Sequence, residues 1–478
     1  MRAVLIIVAI TVAGFLLGRL IWEASPELRA AFGPGAVYAD EACQLELAGS
    51  NTIGERLAPE LASAFLSARG FSTLEAPGAK AGEVRVRGDR DRETCVIAIR
   101  SHGSALSFQE LDEGTADIGM SSRPIKPQEV EMLSRSGAGD FLDDSGETEH
   151  VIGLDGIAVI VHPSNPIASL SKAQVKDAFL GRIRDWSELG GRAGPINLYA
   201  RDDHSGTFQF FQEHVLADNP AWDTSSQSAR RFESSSELVA EVAADIGAIG
   251  FVGMAYVGDD VRALPISDGG APFAPSEANV RSESYPISRR LFLYVRPATM
   301  SDNALARQFI AFAKSEGAYG IAEGLGYVSL RPFDRAVLAG GAQTADCTPD
   351  TPEAQVYHMA TAQGQRLASV IRFQPSSDAI DSLGRDDIER VAPAIRNYID
   401  QGVQVRLIGH TDASGDAERN RQIALERALA ARAAFERRNV LGVQVESAGE
   451  QCPVASNETA AGRQTNRRVE IWIVQTAG

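Results

Sequence analysis

Histidine, positive charge and long apolar runs are all scarce in this chain, and each shortage excludes something. Seven histidines occur among 478 residues, and none forms His-x-His or His-Glu-x-x-His, so the usual patterns of a catalytic zinc site are absent. No serine sits in a Gly-x-Ser-x-Gly elbow. Asp203-His204-Ser205 are contiguous, which denies them the base-to-nucleophile geometry of a hydrolase triad. Lys and Arg number 46 against 63 Asp and Glu, a formal net charge of -17. Such a chain repels nucleic acid and anionic membranes. It does not exclude a small anion, because backbone N–H groups and one buried arginine can hold one whatever the summed surface charge. These features argue against an enzyme, a cofactor, a metal and a nucleic-acid partner.

The longest apolar run is Val4 to Gly18, interrupted only by Thr11 and preceded by Arg2. It has the length of a signal h-region and falls short of the roughly 20 residues of a membrane span. Val37-Tyr38-Ala39 offers small residues at the two positions a signal peptidase reads. Residues 1–39 therefore read as a signal peptide. Leu20, Ile21, Trp22 and the long gap to the cleavage site leave an uncleaved anchor as the alternative. Either way the rest is exported. In an exported chain four cysteines suggest disulfides. Three pairings are open; Cys43–Cys95 with Cys347–Cys452 is the one that stays within domains.

Length asks for two or three folding units. Between residues 40 and 335 short apolar strands alternate with amphipathic helices. The strands include Val96–Ile99, Ile157–Val161, Ala248–Val252 and Leu291–Val295; the helices include Glu55–Leu66, Lys172–Leu180 and Ser235–Ala244. That alternation predicts an α/β fold with mostly parallel sheets. Residues 336–365, rich in Gly, Pro, Thr and Asp, read as a linker. Residues 366–478 read as an α+β domain with helices on one sheet, closed by the alternating strand Val469–Val474.

Four clusters in the first domain share a chemistry. They are Gly49-Ser50-Asn51-Thr52-Ile53, Ser101-His102-Gly103-Ser104, Ser121-Ser122-Arg123-Pro124 and Arg201-Asp202-Asp203-His204-Ser205-Gly206-Thr207. Each sets hydroxyls and backbone amides at a turn that could enter a helix. The first N–H groups of a helix lack partners and carry its positive end, so they suit an anion. Taken singly, each cluster is most often a plain N-cap. The fourth exceeds what capping needs, because Arg201 can give two parallel hydrogen bonds and Gly206 lets the backbone approach closely.

In order and spacing these motifs resemble the phosphate-binding subunit family of ABC transporters, the PstS-type periplasmic receptors, over about residues 44–335. The stretches Ala116–Pro124 and Leu154–Pro166 belong to the same resemblance. It implies the type II periplasmic binding protein fold, with two lobes and phosphate as ligand. The implied ligand residues are Ser50, Thr52, Ile53 through its N–H, Ser104, Ser121 and Ser122 from one lobe. Arg201, Ser205, Gly206 and Thr207 would come from the other. An ABC transporter permease would be a partner. One departure stands out. Many members carry a carboxylate where this chain has Ser122, and a carboxylate selects phosphate by accepting its proton. Asp155 could supply that acceptor or serve as a hinge residue, and a related oxyanion remains an alternative ligand.

In the last domain Gly409-His410-Thr411-Asp412 ends a strand, and Arg427 lies inside the helix Glu418–Phe435. Ala424, Ala428, Ala431 and Phe435 make a slim apolar stripe on that helix. Gly449, Pro453, Asn457, Gly462-Arg463 and Asn466-Arg467-Arg468-Val469-Glu470 follow. Alone, Asp412 is a turn residue, Arg427 a solvated helix charge and His410 a packed histidine. Together the set closely resembles the C-terminal domain of the OmpA family over about residues 366–476. That resemblance implies a non-covalent grip on peptidoglycan. Asp412 would hold the ammonium of diaminopimelate and Arg427 its carboxylate, while Asn420, Arg463, Asn466 and Arg467 brace the fold. The implied location is the periplasm, at the cell wall or outer membrane. An envelope protein whose first domain has lost or changed its ligand is the competing reading.

Overall fold

A computed structural model describes residues 43–474 apart from 79, 81, 140, 142–146, 203–204, 217–228, 233, 332–346 and 375–378. The expected signal or anchor segment, its cleavage site, Asp203 and His204 lie outside the described residues. No described helix is long and apolar enough to cross a membrane. The chain divides into two compact units. One holds the residues up to Gly153 together with Arg290–Leu325; the other holds Leu154–Arg289 and the residues from Gly326 onward.

In the first unit a sheet runs in the order Ser72–Pro77, Glu83–Arg90, Glu93–Ser101, Gln44–Gly49, Ile118–Ser121, Ser288–Val295. The expected mostly parallel sheet is corrected here. Only the three inner strands Glu93–Ser101, Gln44–Gly49 and Ile118–Ser121 are parallel, and the flanking pairs are antiparallel. Short turns join the first three strands in sequence, and a short turn can only join antiparallel neighbours. Helix Ala58–Ala68 covers the sheet with Leu61, Phe65 and Leu66. Cys43 is bonded to Cys95, which lies on the neighbouring strand.

Strand Glu149–Val161 enters the second unit at Leu154, and there Ala248–Gly253, Asn197–Arg201 and Arg230–Phe232 follow it side by side. The first pair is antiparallel and the others are parallel. Glu149–Val161 is buried along almost its whole length, as a near-continuous apolar strand covered on both faces must be. Helix Ser235–Ala244 packs Leu238 and Val242 against Ile160 and Val252.

The C-terminal sheet has the order Gly364–Arg372, Arg468–Val474, Gln404–Gly409, Gln444–Ser447. Helices Ser382–Asp400 and Ala417–Glu436 share one core with it, including Ile388, Val391, Ile395, Ala428, Ala431 and Phe435. The alanine stripe lets Ala417–Glu436 sit very close. A Cβ on Gly409 would lie 1.9 Å from the Ala424 carbonyl oxygen, so only glycine fits. A further cluster joins Ala354, Tyr357 and Ala360 to Ile408 and Trp472. Ala354, Tyr357 and Ala360 come from helix Pro352–Gln363, inside the stretch 336–365 read as a linker. That reading fails because the helix buries mostly alanines and one tyrosine, too faint a stripe to register as periodicity. The bond Cys347–Cys452 fastens the chain just before this helix.

Within the second unit the C-terminal domain is docked on residues 281–284. Arg281 donates to the carbonyls of Ser329 and Arg331 at 2.7 and 2.9 Å and reaches Asp387 at 3.3 Å, with both side chains at most 2% exposed. Arg372 pairs with Glu283 at 2.9 Å and donates to the Ser282 carbonyl at 2.9 Å.

Candidate functional site

In the first unit the three parallel strands stop at one edge. Gly49 lies in register with both Ser101 and Met120. Its φ is +134°, and a Cβ there would lie 2.1 Å from the Met120 carbonyl oxygen. The amides of His102 and Gly103 both donate to the Gly49 carbonyl at 2.9 Å. Helical turns then begin at Asn51 and at Ser104. Ends of adjacent parallel strands followed by helix starts are where open α/β sheets place ligands. Ser104 and Ser122 are brought together. Their hydroxyls are 3.2 Å apart, and the Ser122 amide donates to Ser104 Oγ at 3.1 Å. Ser50 and Thr52 are buried at the turn that precedes Ile53.

Two features of this edge depart from simple helix capping. The Ser121 hydroxyl donates to the Arg123 carbonyl at 2.7 Å, so it braces its own turn. The third cluster also opens no helix; the next one begins at Pro127. Pro124 explains this, since the residue before a proline is pushed towards extended backbone. Arg123 is held by Glu129 through two contacts of 2.6 and 2.8 Å.

In the second unit Arg201 ends its strand. Its Nε donates to the Phe232 carbonyl at 3.2 Å and its Nη1 to Ser235 Oγ at 2.5 Å. The Ser205 hydroxyl caps helix Gly206–Phe211 by accepting from the Phe208 amide at 3.4 Å, and the Ser205 amide donates to Asp202 at 2.9 Å. Gly206 and Thr207 form the first helical positions. Asp155 accepts from Arg289 at 3.1 and 2.9 Å through a single oxygen. Sequence reading passed over Arg289. The signal was the Arg289-Arg290 doublet at a strand start, where alternation turns the two side chains to opposite faces.

In the C-terminal domain Asp412 lies beyond the strand Gln404–Gly409. It accepts from the Ser414 amide at 2.9 Å and from Arg467 at 2.7 Å. Burial raises its pKa, but these hydrogen bonds outweigh burial and hold the carboxyl below its usual range. Arg467, expected only to brace the fold, is thus Asp412's ion partner. Arg427 is buried, donates to the His410 carbonyl at 3.4 Å and lies 5.4 Å from the centre of the Phe373 ring. Asn466 does brace: it accepts from the amides of Val454 and Ala455 at 3.0 Å each. Asn420 donates to Glu450 at 2.6 Å, and Arg463 to the Asn457 carbonyl at 2.9 Å. His410 is fully buried, edge-on to Tyr357. Among the described residues no group of His, Cys, Asp and Glu could hold a metal ion.

A mixed α/β sheet with an edge of hydroxyls and amides is thus followed by a four-stranded α+β domain. Residues 81–316 match the PBP superfamily domain and residues 372–467 match the OmpA family. The chain belongs to the PstS-type family of the PBP superfamily and carries an OmpA family domain after it. The phosphate-binding protein PstS of Bacillus subtilis is 29% identical over 288 residues, 60% of this chain and 87% of that protein. Protein SphX of Synechocystis is 30% identical over 245 residues, 49% of this chain and 70% of that protein. An ABC-type phosphate transport receptor from Vibrio cholerae is 23% identical with a TM-score of 0.44, covering 59% of this chain and 99% of that one.

Proposed function

We propose that this protein is an exported receptor for phosphate or a related tetrahedral oxyanion, held non-covalently to peptidoglycan by its C-terminal domain. The observation that supports it most is the shared end of three parallel strands, which gathers Ser104, Ser122 and two helix starts. Helix-start amides and hydroxyl donors suit an anion. Ser50, Thr52, the Ile53 amide, Ser104 and Ser122 are the ligand residues of the first unit. Arg201, Ser205, Gly206 and Thr207 are those of the second, with Arg201 supplying the charge. The names borne by the relatives point the same way. Calorimetry of the full chain, freed of ligand, with phosphate, sulfate and arsenate tests this. Heat with phosphate is expected; silence with all three would overturn the receptor reading and favour an envelope protein without this ligand.

For the wall, Asp412 and Arg427 are the contacts to the ammonium and carboxylate of diaminopimelate, since a zwitterion needs both charges. The full chain should sediment with purified peptidoglycan of that type. Asp412→Ala and Arg427→Ala should each move it to the supernatant, and Arg437→Ala, one residue past the same helix, should not. Retention of both variants with native circular dichroism would make the two residues structural.

A further inference from the structure

Arg289 is 6% exposed, yet the use of its five N–H donors is incomplete. Nε and Nη2 donate to one oxygen of Asp155, and Nη2 also lies 3.4 Å from the Gly206 carbonyl oxygen. The guanidinium carbon sits 4.2 Å from the centre of the Phe210 ring. Nη1 has no partner among the described residues, and it is not one of the side-chain atoms sealed from solvent. Asp155 has itself only Arg289 as partner among the described residues, leaving its second oxygen unused.

A guanidinium held this deeply, with one nitrogen still open to solvent, can complete its hydrogen bonds on a ligand. Its surroundings say what that is. Arg289 touches both the first residue and the fifth of helix Gly206–Phe211, whose start carries Ser205, Gly206 and Thr207. Asp155 is the second residue after the chain enters this unit, and Arg289 is the last before it leaves for Arg290. Asp155 balances the charge of Arg289 and fixes its plane, so that Nη1 is presented without searching rotamers.

We infer that Arg289 is a second guanidinium of the oxyanion site, donating through Nη1 to the bound anion, with Asp155 as its positioning residue. The inference rests on the receptor reading above and adds a specificity to it. Two arginines, one of them half-compensated, favour an anion with two negative charges over a singly charged one of the same shape.

The test is calorimetry of the full chain with inorganic phosphate, for the native protein, Arg201→Ala, Arg289→Gln, Arg289→Lys and Asp155→Asn, each with its ligand-free melting curve. Arg289→Gln should lose at least about tenfold in affinity, with Arg289→Lys recovering part of the loss because charge remains. Asp155→Asn should bind more weakly than native by a smaller factor. Competition adds a readout that a merely structural role would not move: doubly charged sulfate should lose more than singly charged perchlorate in Arg289→Gln. If Arg201→Ala loses binding while both Arg289 variants bind as native, or if Lys is no better than Gln, the inference falls and the receptor stands. If Arg289→Gln melts early, Arg289→Lys and the sulfate-to-perchlorate ratio decide. If native protein binds no oxyanion, the receptor reading fails and takes the inference with it.

Discussion

The serine edge of the first unit and the charged cluster around Asp412 differ in what a ligand must displace. At the edge, Ser104 and Ser122 hold each other by neutral hydrogen bonds, and Arg123 is occupied by Glu129. Around Asp412, charge is abundant and already paired with Arg467. An anion reaching the edge breaks only weak neutral contacts, but full affinity needs charge from elsewhere in the sequence. A zwitterion reaching Asp412 finds a carboxylate already ionised and fixed, and must share it. The first arrangement trades strength for openness; the second is set in advance at the cost of competition from its own arginine.

The contrast is broken hardest where charge is buried. Asp387→Ala removes the carboxylate next to Arg281 in the docking surface of the C-terminal domain. Leaving a buried charge without its partner should destabilise by about 3–5 kcal/mol, read as a lower urea midpoint of the full chain. An unchanged midpoint would show that the two parts are not energetically joined. Next in size, Arg201→Ala should weaken phosphate binding by at least about 2 kcal/mol in calorimetry, since the serine edge lacks a charge of its own. A loss well below that would mean that hydroxyls and amides suffice.

A third effect depends on pH. Burial, then the positive charge of Arg468, push the pKa of His410 down to about 3 from 6.5. Below pH 6.5 the unfolded chain takes up a proton that the folded chain refuses. Stability is therefore present above that pH and is lost as pH falls towards 3, by at most about 1.4 kcal/mol per unit. Glu470 is held below its ordinary 4.5: burial would raise it, but Arg468 and Arg366 outweigh burial. Its own contribution is lost in the same direction, only under about pH 4.5, so the interval above belongs to His410. His410→Gln should flatten the stability curve there; a curve parallel to native would refute the assignment. The smallest effect is expected at the edge itself. Ser122→Asp should weaken sulfate by about 1 kcal/mol while sparing monohydrogen phosphate, which can donate its proton to the new carboxylate. Equal loss of both anions would place Ser122 away from the ligand.

Much of the architecture was legible because long periodic segments carry it. Ser235–Ala244 lies where its pattern puts it, and the closing strand Arg468–Val474 contains the alternating Val469–Val474. What escaped was written in weak or non-local terms. The strands Ser72–Pro77 and Glu83–Arg90 are half exposed and charged, so alternation barely shows. Helix Pro352–Gln363 hides its stripe in alanines. At the sites, motif order put Ser104 and Ser122 in one set, and their hydroxyls lie 3.2 Å apart. It could not show that Ser121 turns inward, that Arg289 meets Asp155, or that Arg467 holds Asp412. Those are pairings between residues distant in sequence or set by a single rotamer, and no local pattern records them.

The docking of Arg281 also has a consequence in time. Its partners Ser329, Arg331 and Asp387 stand later in the chain, Asp387 by 106 residues. The second unit is thus interleaved along the sequence, its opening half waiting for a closing half that emerges last. A chain halted at residue 335 would keep every proposed oxyanion ligand and the Ser329 and Arg331 carbonyls, yet leave Arg281 without Asp387, and Ser282 and Glu283 without Arg372. Such a fragment should be slow to mature and prone to associate, whereas the same proposed ligand residues in the full chain acquire their final support only when the C-terminal domain arrives.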